Sequence, residues 1–575
     1  MGKMFKNFKS KNRGAISTVV LFTILMFIVI LMGVYAAITI NEKSQLQSDM
    51  KIQEIYGRDS AKIDMFYLET SERGWNQEKK VNKPLILTGM TPIKFNEPTE
   101  NKIGSAVETT ENDAEWYQYG ITSQSRKWAN AETEDGSMWV WIPRYAYKID
   151  DTNKKIDVKF LIGTTDYYID NDGEVKEAKR QGITASDYIV HPAFRNGSGT
   201  GFVNGEWRKE LTGIWVAKFE AGYASGNNSA HVKSSSESYE INNNNKVYVA
   251  GIERPRNEDG SVQSDGWETT RNWLDGIYGE NGSENTKIKY PTFQGLTYSM
   301  NYINHSDAFK ISRALTEDGN IYGFTSDADS HLMKNSEWGA VAYLTQSSYG
   351  KNSEIAINNV TLNSGGRART ETSGKYGVDS VYAITGLTSG LASGSNSETT
   401  SGVITIDIGR ANGFISAINN ATKNEGITNG TSDGHKVYTW NQYTGQNAST
   451  TGTIYGIYDM SGGMWERTSG FTNNGSGNIT NYGLALKEET EATAAGEGAS
   501  TEYVTIYPYS TSTAETNGIT NVYNLRSIHG YAEYAKLNSS GLTRYGDAIL
   551  EITDEAAGTG ETNWNNSAGR SLFRL

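Results

Sequence analysis

An uncharged apolar run, 15–40, "AISTVVLFTILMFIVILMGVYAAITI", follows a basic leader, "MGKMFKNFKSKNRG". A helix of that length exceeds the ~30 Å hydrocarbon thickness that about 20 residues span. It carries no polar stripe, as a soluble core helix would. The basic residues Lys3, Lys6, Lys9, Lys11 and Arg13 place the leader in the cytoplasm and everything after Asn41 outside. The run is longer than a secretory signal core and lacks a clean small-residue end, so a retained anchor is expected. Residues 41–69 continue as a helical stalk, with Leu46, Met50, Ile52, Ile55, Ile63 and Phe66 apolar and a weak break at Gly57.

At 575 residues the chain is too long for one ordinary core, and two or three domains are expected. Its 61 glycines against 8 prolines point to strands joined by long loops. The 34 tyrosines and 13 tryptophans suit either a binding surface or an aromatic core. A net charge of −13 argues against nucleic acid, which requires a basic face. The absence of cysteine excludes disulfides, thiolate metal sites and cysteine nucleophiles.

Residues 70–126 read as a linker or small strand module, with one strand in "NKPLILTGMTPIKF", 82–95. At 127–190 an extension begins with "SMWVWIPRYAYKI", a strand that Pro143 limits to an edge or a bend, after an "EDG" turn. "GIWVAKFEAGY" reads as a strand with Trp215, Ala217 and Phe219 on one face and Lys218 and Glu220 on the other. The stretch 330–350 is helical, with Ser330 as its cap. A Gly/Ser/Asn-rich insertion fills about 348–434, with "GVITIDIG" as its clear strand, and "TEYVTIYPYS" is a later one.

The first of two resemblances is to type IV pilin-like proteins, carried by "KNRG" before "AISTVVLFTILMF". It implies leader cleavage between Gly14 and Ala15. Val19 stands where many pilins carry Glu, so an anchored single-pass protein is expected ahead of a filament subunit. The second covers about 191–575 and rests on three ordered pieces: "GIWVAKFEAGY", "HLMKNSEWGAVAYL" and "GIYDMSGGMWERTSG". These resemble the formylglycine-generating-enzyme family, the sulfatase-modifying-factor fold. The implied architecture is α+β: a transmembrane and stalk helix, then a loop-rich C-type-lectin-like ectodomain with short twisted antiparallel sheets and few helices. Glu337, Trp338, Tyr458, Asp459, Met460, Gly462, Trp465 and Glu466 would be its fold signature. Tyr458, Met460 and Trp465 would form a buried knot, and Asp459 and Glu466 would satisfy backbone donors.

The family's copper-holding cysteine pair has no counterpart. The six histidines, His191, His231, His305, His331, His435 and His529, show no helical metal spacing. No catalytic residue and no cofactor are therefore expected, apart from structural calcium at Asp327, Asp329 or Asp547. Gly463 and Arg467 replace the family's Asn and Trp. The family's display role implies a binding face near the C-terminus, with Trp564, Asn565 and Asn566 as candidate contacts. Phe573 to Leu575 would be a diverged closing strand, or the chain stops before it. The expected function is a membrane-anchored, non-enzymatic surface binding protein, adhesin- or lectin-like. Its partners would be the membrane, an extracellular glycan or protein surface, and possible pilin-like subunits. A structural filament subunit and a metal-dependent enzyme of the same fold are the alternatives.

Overall fold

The computed structural model describes residues 74–150, 155–180, 187–196, 207–222, 291–297, 305–352, 360–361, 367–369, 377–379, 385–389, 404–405, 420–427, 436–460, 466–473, 502–508, 551–553 and 571–574. Contacts divide the chain into two compact units, 1–73 with 169–176, and 74–168 with 177–575. Within the first, 169–176 is a turn in which Asp170 Oδ1 accepts the N–H groups of Asp172 and Glu174. Everything below belongs to the second.

This unit is mixed α and β, with mostly short antiparallel sheets and few helices among the described residues. Its main sheet has five antiparallel strands: β1 (Met90–Asn96), β2 (Ser105–Glu108), β3 (Asn130–Thr133), β4 (Met138–Pro143) and β8 (Gly213–Ala217), in the order β8-β4-β3-β1-β2. The stretch read as a linker or small strand module supplies two strands of the central sheet. Its strand begins at Met90, not near Asn82, because Pro84 cannot donate to a ladder and Leu85 is exposed.

The aromatic and β-branched run of β4 is buried on both faces, so it lies inside the sheet and not at an edge. The "EDG" turn before it is built as expected. Gly136 has φ +84° and donates to the Thr133 carbonyl, while Asp135 Oδ1 accepts from Thr133 Oγ1 and the Ser137 N–H. Pro143 ends β4, and the chain bends through Arg144 into β5 (Tyr145–Asp150). β5 forms a second sheet with β6 (Lys155–Phe160) and β7 (Ile189–Val190), in the order β6-β5-β7. Buried Arg144 pins the bend. Its guanidinium donates to the Thr165 and Phe194 carbonyls and pairs with Asp166 and Glu210, which Arg180 also bridges.

Two helices pack beside these sheets, α1 (His305–Arg313) and α2 (Asn335–Gln346). α2 starts five residues later than the expected Ser330 cap. Residues 330–333 are not helical and Lys334 is extended, with the Met333 carbonyl accepting from the Ser469 N–H, and Ser330 Oγ donates instead to the Ser312 carbonyl. Tyr145 OH reaches the Ala340 carbonyl at 2.6 Å and Tyr147 packs on Tyr343, which seats α2 on the second sheet. His191, surrounded by Tyr145, Tyr147, Phe194 and Tyr343, accepts the Ala193 N–H through Nδ1.

Beyond α2, β9 (Leu387–Ser389) pairs with β10 (Val437–Thr439), and only Ile404–Thr405 of "GVITIDIG" is a described strand. The C-terminal sheet has β11 (Glu466–Asn473), β12 (Thr505–Pro508), β13 (Glu551–Thr553) and β14 (Ser571–Arg574), in the order β12-β11-β14-β13. Phe573 and Arg574 thus lie in a strand paired on both sides. The runs 15–40 and 41–69 lie outside the described residues. Among those described, no helix is long and apolar enough to cross a membrane.

The alternation expected in "GIWVAKFEAGY" holds to Ala217, where β8 ends, but its polar side does not face water. Lys218 is fully buried. Its Nζ donates to Asn130 Oδ1 at 3.0 Å and to the carbonyls of Ile454 at 2.6 Å and Gly456 at 2.8 Å. Its backbone N–H donates to Met138, and its carbonyl accepts from Tyr458 N–H. The rings of Phe95 and Tyr458 lie 4.8 and 5.5 Å from the ammonium. Burial pushes this lysine well below the usual range. Against that cost, three oxygens match the three ammonium donors. Lys218→Met should strand those acceptors and cost about 3 kcal/mol. Urea unfolding followed by tryptophan emission would measure it, and a loss under about 1 kcal/mol would contradict this role.

Candidate ligand cavity

The end of β8 separates two environments. On the Lys218 side lies an aromatic cluster of Phe95, Phe219, Trp440, Tyr455 and Tyr458, with Phe219 stacked on Tyr458 at 5.4 Å. Alongside it is a cavity of about 240 Å³. One wall is the 214–221 segment together with Trp139 and Phe293, whose rings meet at 4.9 Å. Another is α1 and the turn after it, presenting Ala308, Ile311, Ser312 and Leu315. The rest comes from 330–333, the start of α2, 457–460 and Arg467.

Four of the fold-signature residues line this cavity: Glu337, Trp338, Tyr458 and Met460. Tyr458 OH donates to the Trp440 carbonyl at 3.0 Å, and burial pushes its phenol far up. Asp459, between the two wall residues, has φ +62°, a conformation that favours Asn, Asp or Gly. Its two carboxylate oxygens accept the Gly386 N–H at 3.0 and 2.9 Å. Gly386 has φ +65° and lies so close to Phe219 and Trp440 that a side chain would collide with both rings. Burial pushes Asp459 up to about 7, against the backbone donors of Gly386 and Glu220.

At the polar wall, both ring nitrogens of His331 face acceptors. Nδ1 is 3.1 Å from the Asp329 carbonyl, and Nε2 is 3.1 and 3.0 Å from the two oxygens of Glu337. Glu337 also accepts the Lys334 N–H at 2.8 Å, capping α2, with Lys334 Nζ at 3.5 Å. Burial alone would raise Glu337; the charges of His331 and Lys334 and their hydrogen bonds outweigh it and hold the carboxyl at about 2. Lys334 Nζ lies 3.6 Å above the Trp207 ring and donates to the Glu502 carbonyl.

Asp327 is exposed, while Asp329 accepts from Tyr503 OH at 2.6 Å and Arg313 Nη1 at 3.2 Å. Among the described residues, no group of three or more His, Cys, Asp or Glu side chains is arranged to hold a metal ion. Glu466 opens β11. Gly14, Ala15, Gly462, Trp465, Asp547, Trp564, Asn565 and Asn566 lie outside the described residues.

Sequence reading missed the α1 wall. Its signal is present: positions 308, 311, 312 and 315 follow the i, i+3, i+4, i+7 spacing of an apolar helix face. No protein-family model matches the chain, and no curated protein matches it.

The two buried acids give opposite pH signatures. Asp459 titrates at its ordinary 3.8 when unfolded and at about 7 when folded. Its contribution is therefore complete below 3.8 and is lost as the pH rises to about 7. Asp459→Asn should flatten the fall in stability over that range relative to the parent protein, as read from urea midpoints. Glu337 moves from 4.5 unfolded to about 2 folded, so its contribution is present above 4.5 and lost as the pH falls through about 2. Glu337→Gln should lower stability at neutral pH yet lose less on acidification below 4.5; an equal acid slope in both proteins would contradict the pairing.

Proposed function

We propose that the chain is a membrane-anchored, outward-facing binding protein of the cell surface, and that its 191–575 region uses a lectin-like, sulfatase-modifying-factor-like scaffold for binding without catalysis. The observation that carries the binding half is the cavity itself. Glu337, Trp338, Tyr458 and Met460 are among the residues that line it. Concave, mostly apolar sites with a few converging polar groups are the usual form of a small-ligand site. Anchoring is supported by the sequence, in which a basic leader precedes an uncharged run long enough to span a bilayer.

Fractionation and protease treatment of intact cells test the reading together. The full-length chain should sediment with membranes, and external protease should cleave it in unbroken cells. Recovery as a soluble, protected protein would sink the proposal. Cross-linking on the same cells should give monomers. A ladder of regular multimers would favour a pilin-like filament subunit instead.

A further inference from the structure

We infer that the cavity takes a neutral bicyclic aromatic molecule bearing a ring N–H, of indole size; this rests on the binding reading above and gives it a ligand class. Size comes first. An engineered cavity of about 150 Å³ lined by Leu, Ile and Phe stays dry and binds benzene. At about 240 Å³, this one has room for a second fused ring. Shape agrees. Trp139, Trp215, Phe219, Phe293, Trp338 and Tyr458 supply ring faces and edges, which suit offset or edge-to-face contact with a flat aromatic guest. The polar side chains of the lining, Glu220, Ser312, Ser330, His331, Glu337 and Arg467, are outnumbered by these rings and by aliphatic residues such as Ile214, Ile311 and Leu332, which favours a guest with few hydroxyls.

The polar wall sets the functional group. Two carboxylates, Glu220 and Glu337, lie in the lining, and ionised carboxylates only accept. His331 Nε2 faces both Glu337 oxygens, the Lys334 N–H donates to Oε2 and Lys334 Nζ lies 3.5 Å from Oε1, so a guest N–H would share an oxygen that already accepts. A ligand of either full charge meets groups of both signs, Glu220 and Glu337 against Arg467, and loses its hydration for little gain. A neutral N–H needs one acceptor and brings no full charge to be desolvated.

Calorimetric titration of the full-length protein in lipid nanodiscs tests this, with empty nanodiscs as the partition control. Indole should bind at one site per chain. 1-Methylindole, which has no N–H, should bind at least about tenfold more weakly, the loss expected for a hydrogen bond to a charged acceptor. Ala217→Leu from the β8 wall, or Ala308→Leu from the α1 wall should the first not fold, should weaken indole at least about tenfold while leaving the melting cooperative. Three results would overturn the inference: no indole heat above empty discs from a cooperatively melting protein, equal affinity for the two indoles, or undiminished binding by a folded cavity-filled variant. The test does not depend on where the protein resides in the cell, so it can fail while surface location stands, and the reverse.

Discussion

Much of the main unit hangs on one buried ammonium group. Lys218 ties the end of β8 to β3 through Asn130 and to the 454–456 segment through two carbonyls. Asn130 extends the linkage, donating from Nδ2 to the carbonyls of Trp128 and Tyr455 at 2.9 Å each. Burying a charge without a carboxylate partner is costly. The cost is offset only while all three donors and both ring faces stay in place, so the surrounding chain segments have little freedom to shift. That rigidity fixes the 214–221 segment, whose other side is the cavity wall.

The opposite wall is held by a second set of charges, of a different kind. Glu337, His331 and Lys334 form a buried mixed-charge group at the first turn of α2, and Trp207 and Glu502 close over it from distant parts of the sequence. Arg313 lies 3.8 Å from the Tyr503 ring and donates to Asp329 and the Ser330 carbonyl, joining α1 to the same network. Here opposite charges compensate each other, and the helix N-terminus adds its own preference for the Glu337 carboxylate. The cavity therefore sits between two polar anchors and not in a soft apolar interior.

How much of this could be read from the sequence depended on whether the local pattern agreed with the final environment. The strands at 138–143, 213–217 and 505–508 and the "EDG" turn were legible because aromatic and β-branched density and turn chemistry are local signals. The helix was legible, but its start was not. Ser330 is a better cap by residue type, yet its hydroxyl donates to the Ser312 carbonyl and the cap passes to Lys334 and Glu337. β1 was partly hidden because Thr91 and Lys94 interrupt its apolar residues, although Met90, Ile93 and Phe95 are buried. The burial of Lys218 was not legible at all. A lysine beside a glutamate reads as a solvated face, and its oxygen partners lie 88, 236 and 238 residues away.

The central claim is that the signature residues frame a ligand site rather than merely holding a fold together. Hydrogen–deuterium exchange on the full-length protein, with and without saturating indole, measures it most directly. Slowed exchange confined to 214–221, 308–315, 330–338, 457–460 and Arg467, the parts of the chain that line the cavity, is the predicted result. Protection confined to the C-terminal stretch 544–575, with those walls unchanged, would contradict it.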